Sequence, residues 1–363
     1  MEIGLVGMPN AGKSTLFVAL TRHPVPIAPY PFTTIEPHRG VVAVPDPRLE
    51  ALARVVRPER VVPATLTVVD IAGLVRNAHR GEGLGNQFLA HIREVDAIAM
   101  VLRGFAAPTI PPGLGEVDPV AELEVLDLEL ALADLETVQR RLEKTRRAAK
   151  ADPHAFAETI AALEDLAAHL QAGRPARTWP GRAPWRPLLR ELFLLTDKPR
   201  VIVLNVAEED LPEGGPAAAE LARRAGVEGS PFLVVCAELE AALNEWPPAE
   251  ARTYRESLGL SGSALDRLIQ AAYRLLDRIT FFTITGGHEV RAWSIPRGTR
   301  APQAAGRVHS DMERGFIRAE VIPWDRLVAA GSPQAAREQG LWRIEGRDYE
   351  VQDGDVLHFR FHG

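Results

Sequence analysis

The stretch Gly7-Met8-Pro9-Asn10-Ala11-Gly12-Lys13-Ser14-Thr15 constrains this chain more than any other. It follows a short apolar run, EIGLV, and precedes LFVAL, where a helical pattern begins. The order predicts strand, glycine loop and helix. A loop of this kind wraps backbone N–H groups around phosphates, and the helix N-terminus behind it favours an anion. Asn10, Ala11, Gly12, Lys13, Ser14 and Thr15 are therefore expected to bind a nucleotide. Lys13 should reach the β- and γ-oxygens as a catalytic group, and Ser14 should ligate Mg2+ through its hydroxyl. The fold class is α/β with a mostly parallel sheet around a phosphate loop.

A second element, Thr65-Leu66-Thr67-Val68-Val69-Asp70-Ile71-Ala72-Gly73, is an apolar strand ending in a carboxylate with a glycine three residues on. In a nucleotide hydrolase this puts Asp70 near Mg2+ and the Gly73 N–H near the γ-phosphate. Between the two lies YPFTTIEP, where a threonine could close over the γ-phosphate and bind Mg2+. Thr34 is preferred over Thr33 for that role. The residue after Gly73 is Leu74, an apolar side chain that cannot orient water as the glutamine of Ras-like enzymes does. His79 could assist, although a solvent-facing loop histidine is the better reading. Gly81, Gly83 and Gly85 give a loop with low barriers to rearrangement, or simply cap and turn the chain.

Further on, the apolar run RVIVL ends in Asn205-Val206-Ala207-Glu208. A GTPase would carry Asn-Lys-x-Asp here, its Asp accepting two N–H groups from guanine. Adenine instead offers an acceptor at N1 and a donor at N6, so a carboxylate aimed at N1 meets repulsion. Glu208 displaces the carboxylate by a methylene and Val206 removes the lysine stem that packs along the base. Both changes degrade guanine reading and leave adenine to be recognised through backbone groups near Val206 and through shape. Cys236-Ala237 follows the strand-like PFLVV, where backbone N–H groups often meet the base.

At 363 residues the chain has room for two or three domains. Apolar residues make up 46% and charged residues 25%, and no stretch approaches the ~20 apolar residues of a membrane span. A single cysteine and the lack of a secretory pattern at the N-terminus lead us to expect a cytoplasmic protein with no membrane partner. The net charge of −6 argues against a strongly basic nucleic-acid binder, and no DNA partner is expected.

From Asp118-Pro119 the sequence turns strongly helical, with Leu128, Leu132, Leu135 and Leu142 as one stripe and Phe156, Ile160, Leu163 and Leu170 as another. These predict an antiparallel helical hairpin. Arg140, Arg141, Lys144, Arg146, Arg147 and Lys150 near its tip either grip RNA phosphates or form a solvated face. The C-terminal stretch alternates short strands and turns and predicts a small α+β binding module.

GMPNAGKST, PFTTIEP, DIAGLVRNAHRGEGLGNQFL, LLTDKPRVIVLNVAEEDL and VRAWSIPRGTRAPQAAGRVHSDMERGFIRAEVI together resemble the YchF, or Obg-like ATPase, family of P-loop NTPases. The resemblance implies a nucleotide domain over 1–117 and 191–280, an inserted helical hairpin over 118–190, and a C-terminal TGS domain of β-grasp fold over 281–363. It also implies ATP rather than the alternative, GTP, and association with the ribosome in translational or stress control. Asn10 resembles the asparagine that holds K+ in some related GTPases, or stabilises a turn. Family members often carry a histidine near the position of Pro112, and its absence here puts a histidine-based mechanism in doubt.

Overall fold

The computed structural model describes residues 1–22, 37–71, 73, 84–107, 113 and 115–362. Thr33, Thr34, Ala72, Leu74, His79, Gly81, Gly83 and Pro112 lie outside these residues. The chain divides into two compact units, one of residues 1–41 and 67–272, the other of residues 42–66 and 273–363.

The first sheet runs in the order β2 (His38–Ala43), β4 (Thr65–Asp70), β1 (Glu2–Val6), β5 (Ala97–Arg103), β6 (Arg200–Asn205) and β7 (Phe232–Val235). Pairings β1–β4, β1–β5, β5–β6 and β6–β7 are all parallel. Strands β5 and β6 are buried at every residue, which is why AIAMVLR and RVIVLN read as unbroken runs rather than alternating ones. Parallel register brings the carboxyl ends of β1, β4, β5 and β6 to one edge, with Arg103 opposite Asn205. That edge is where an open α/β sheet places its ligand.

Helices α1 (Lys13–Thr21), α3 (Leu84–Glu94), α7 (Ala218–Glu228), α8 (Ala237–Leu243), α9 (Pro248–Ser257) and most of α10 (Ala264–Leu275) belong to the same unit, whereas α2 (Pro47–Val56) belongs to the second. Helices α4 (Pro119–Ala148) and α5 (Pro153–Gln171) form the expected hairpin, each opened by an aspartate cap and a proline. The buried face of α4 differs from the predicted stripe. Leu123, Leu126, Leu130 and Ala133 join the core against the sheet, while Leu128 is 48% exposed. The helix changes partner along its length, so one period cannot describe it. Farther out, Val138 and Leu142 pack with Leu163, Leu166 and Leu170, and with Trp179 and Leu189, the latter on α6 (Arg186–Leu192). Asp134 ties this hairpin to the approach to β6, accepting from Leu195 N at 2.8 Å, Thr196 N at 2.7 Å and Thr196 Oγ1 at 2.6 Å.

The second unit has the sheet order β11 (Arg343–Glu345), β10 (Phe316–Pro323), β12 (Asp355–Phe361), β8 (Arg278–Thr285), β9 (Glu289–Pro296) and β3 (Arg60–Val62). Its first and last C-terminal strands, β8 and β12, lie side by side in parallel, with β9 antiparallel to β8 on one side and β10, itself antiparallel to β11, antiparallel to β12 on the other. That is the β-grasp arrangement. Helices α11 (Ala301–Val308) and α12 (Ser310–Arg314) connect β9 to β10, while α13 (Trp324–Ala330) and α14 (Pro333–Glu338) follow β10. Residues 42–66 fall within the sequence range assigned above to the nucleotide domain, yet they build into this unit. There β3 adds a parallel edge strand to β9 and Arg48 reaches Asp353 at 3.0 Å. Such long-range pairing leaves no local pattern in the sequence.

Candidate functional site

The phosphate loop connects β1 to α1 through two residues of positive φ, Asn10 at 64° and Gly12 at 86°. A side chain at Gly12 would be strained there, and its Cβ would fall 2.2 Å from Asn205 Nδ2. The loop closes so tightly that Ala11 is fully buried. Lys13 opens α1, itself buried, and its Nζ donates to the Met8 carbonyl at 2.9 Å. Burial pushes the Lys13 ammonium down, opposed by the charges of Asp70 and Glu122.

Ser14 Oγ lies 2.7 Å from Asp70 Oδ2, so the loop hydroxyl and the carboxylate at the end of β4 are brought together. Burial raises the Asp70 carboxyl, against the pull of Lys13, the Ser14 hydrogen bond and His38. Gly73 passes close beneath the loop, where a Cβ would stand 2.9 Å from Pro9 N. Thr15 occupies the first turn of α1 and is half-buried. Thr34, the second predicted Mg2+ ligand, lies outside the described residues.

At the other end of the site Asn205 is 5% exposed and uses both ends of its amide. Nδ2 donates to the Ala11 carbonyl at 3.1 Å, and Oδ1 accepts from Ala237 N at 3.0 Å. The asparagine therefore fastens the phosphate loop to the turn that begins α8. The Ala237 N–H, a predicted base contact, is thereby engaged within the protein. Val206 is buried, and its N–H donates to the Val235 carbonyl at 2.9 Å, so that N–H too is engaged within the protein. Cys236 is buried beside Leu239 and Leu243, and burial pushes its thiol up, as befits a packed side chain rather than a nucleophile. Glu208 is half-buried and accepts from the Tyr254 hydroxyl at 2.5 Å.

Three residues that sequence reasoning missed belong to this neighbourhood. Tyr254 lies on α9, 46 residues from Glu208, with no spacing rule to connect them. Phe105 approaches Gly12, and the Arg103 guanidinium stacks 4.7 Å over its ring. Glu122, in the first turn of α4, is fully buried and accepts from Arg103 N at 2.9 Å, while its Oε1 has no hydrogen-bond partner among the described residues. Burial lifts its carboxyl to about 7, partly offset by the Arg103 N–H and by Lys13. A glutamate at the start of a helix looks like ordinary helix-dipole chemistry, so nothing local distinguishes it.

At the hairpin tip, half of the basic side chains are neutralised. Arg141 pairs with Glu191 at 3.0 Å, Arg146 with Glu164 at 2.6 Å, and Arg147 with Glu143 at 3.7 Å. Among the described residues, no helix is long and apolar enough to cross a membrane.

Comparison with known proteins agrees with this geometry. Residues 278–362 match the profile YchF-GTPase_C, described as a protein of unknown function (DUF933), and residues 2–152 match the profile of a 50S ribosome-binding GTPase. The chain is 44% identical over 363 residues to the Ribosome-binding ATPase YchF of Bacillus subtilis, spanning 99% of each. It is 45% identical over 361 residues to the protein of the same description from Escherichia coli O157:H7, again across 99% of each. Among solved structures, the YchF GTPase of Schizosaccharomyces pombe superposes with a TM-score of 0.85 at 35% identity, covering 99% of this chain and 97% of that one.

Proposed function

We propose, from the premise that the chain belongs to the YchF family of P-loop NTPases, that it is a Mg2+-dependent ATPase of slow intrinsic turnover. In this reading its nucleotide state governs docking to the ribosome. The observation that carries the choice of ATP is the base end of the site. Asn205 keeps both tethers, to Ala11 and to Ala237, while Glu208 rather than an aspartate follows three residues later. The frame of a purine site is retained, and the guanine reader within it is altered. The description of relatives as ribosome-binding ATPases supports the same choice.

The donor set suits Mg2+. Ser14 Oγ and Asp70 Oδ2 are hard oxygen groups 2.7 Å apart, beside a buried lysine. Bound there, Mg2+ would neutralise charge developing on the phosphate oxygens. Ser14 and Asp70 would hold it, with Thr34 as a further ligand. Lys13 supplies a fixed positive charge from a buried position beside the loop. Gly73, held against Pro9, can bring its N–H to the terminal phosphate. Because Leu74 cannot orient water, hydrolysis by the isolated chain is slow and awaits a partner. K+ near Asn10 is a second candidate for supplying positive charge.

Turnover of the purified chain with ATP and Mg2+, with and without ribosomes, tests this. Slow phosphate release that ribosomes accelerate about tenfold or more supports it; phosphate transfer to a small molecule overturns it. The second reading, a GTP-dependent translation or assembly factor, draws on the similarity to a 50S ribosome-binding GTPase and to the fission-yeast YchF GTPase.

A further inference from the structure

Glu208 is not free to turn. It opens a short 3-10 helix, Glu208–Asp210, directly after β6, and its Oε1 accepts from the Tyr254 hydroxyl. Tyr254 in turn is fixed on three sides. Its ring lies 5.4 Å from that of Trp246, it packs on the Cys236, Leu239, Leu243 and Ala251 cluster, and its helix is anchored where Arg255 donates to Glu240 at 2.8 Å. Glu240 is itself buried and also accepts from Ala264 N at 2.7 Å, so α8, α9 and α10 hold one another in place. The tyrosine is thus presented to the glutamate by a preformed frame.

Guanine is read by a carboxylate whose two oxygens face the base together, each taking one N–H in a bidentate fork. A carboxylate with one oxygen turned aside cannot make that fork. Adenine presents a single donor group, N6, next to an acceptor, N1. One oxygen can take the N6 hydrogen bond, and it is better that the second does not face N1. We propose that the Tyr254 hydroxyl is a specificity-determining positioning residue: by holding Glu208 Oε1 it leaves one carboxylate oxygen for the base, which suits adenine and handicaps guanine. This rests on the reading that Glu208 faces the base. The hydrogen bond to Glu208, together with the glutamate's charge, raises the Tyr254 phenol, in keeping with the hydroxyl acting as the donor.

The test is equilibrium binding of ATP and of GTP, each with Mg2+, to the full chain and to Tyr254→Phe, Glu208→Gln and the double variant. Phenylalanine keeps the ring packing and removes only the donor. Tyr254→Phe should raise GTP affinity about tenfold and leave ATP affinity within about twofold, narrowing the ratio. In the Glu208→Gln background the same change should leave the ratio where it was, because the tyrosine acts through the glutamate. An unchanged ratio in Tyr254→Phe, or a shift that persists without Glu208, overturns the proposal. A purely structural role would move both nucleotides together and lower the melting temperature. The unaltered chain judges the base reading separately, since a preference for GTP there contradicts that reading whatever Tyr254→Phe does.

Discussion

Asn205 donates its side-chain amide to the carbonyl of Ala11 at 3.1 Å, across a sequence separation of 194 residues. With its other end on Ala237 N, one buried side chain sets the spacing between the phosphate loop and the turn after β7. Base and phosphates are linked in the ligand by a fixed length of sugar, so holding this spacing pre-arranges the site.

Asn205→Ala should therefore weaken ATP and GTP alike. Both partners would be left unpaired in a buried place, which costs about 1–3 kcal/mol for each. Calorimetric titration should find affinity lowered at least about tenfold for both nucleotides, with a lower melting temperature. A loss confined to one nucleotide would contradict the tether.

Ser14→Ala separates metal binding from nucleotide binding. Ser14 Oγ meets Asp70 at 2.7 Å, whereas in the proposed site Lys13 would act on phosphate without it. Affinity for nucleotide with Mg2+ should fall by about tenfold or more, and affinity measured in EDTA should stay within about twofold. Equal losses in both conditions would show that Ser14 serves only the loop.

Glu122 makes a prediction about pH. Folded, it keeps its proton up to about 7, against an ordinary value of 4.5, because burial outweighs the help from Arg103 N and Lys13. The native chain therefore binds more protons than the unfolded chain between those values. Its stability contribution is greatest at the acidic end of that window and is lost as pH rises through the folded value. Asp134, raised by burial to about 6, acts in the same direction. Glu122→Gln cannot titrate. Urea unfolding should show the unaltered chain losing about 1–3 kcal/mol relative to this variant from about pH 5 to about pH 8. A difference that does not change with pH would contradict the assignment.

The phosphate end was legible because its chemistry is local. Loop, lysine and hydroxyl are consecutive, and Asp70 closes a strand whose parallel pairing with β1 brings it to Ser14. Asn205 was legible as a residue but not as a tether, since a bond to Ala11 needs the register of β5 on β6. Tyr254 and Glu122 reach the site from helices on whose own faces they look ordinary. Leu128 was misplaced for a related reason, as α4 faces the sheet and then α5 in succession. Residues 42–66 join the second unit through one three-residue strand and a helix, too little to leave a periodic signal.

The base end of the site decides between ATP and GTP, and side-by-side binding of the two labelled nucleotides with Mg2+ is the decisive measurement. The same pair is then measured with Val206→Lys combined with Glu208→Asp. Tighter binding of ATP by the unaltered chain, with preference moving toward GTP in the double variant, is the predicted result. Tighter binding of GTP by the unaltered chain would contradict it and make the chain a GTP-dependent factor.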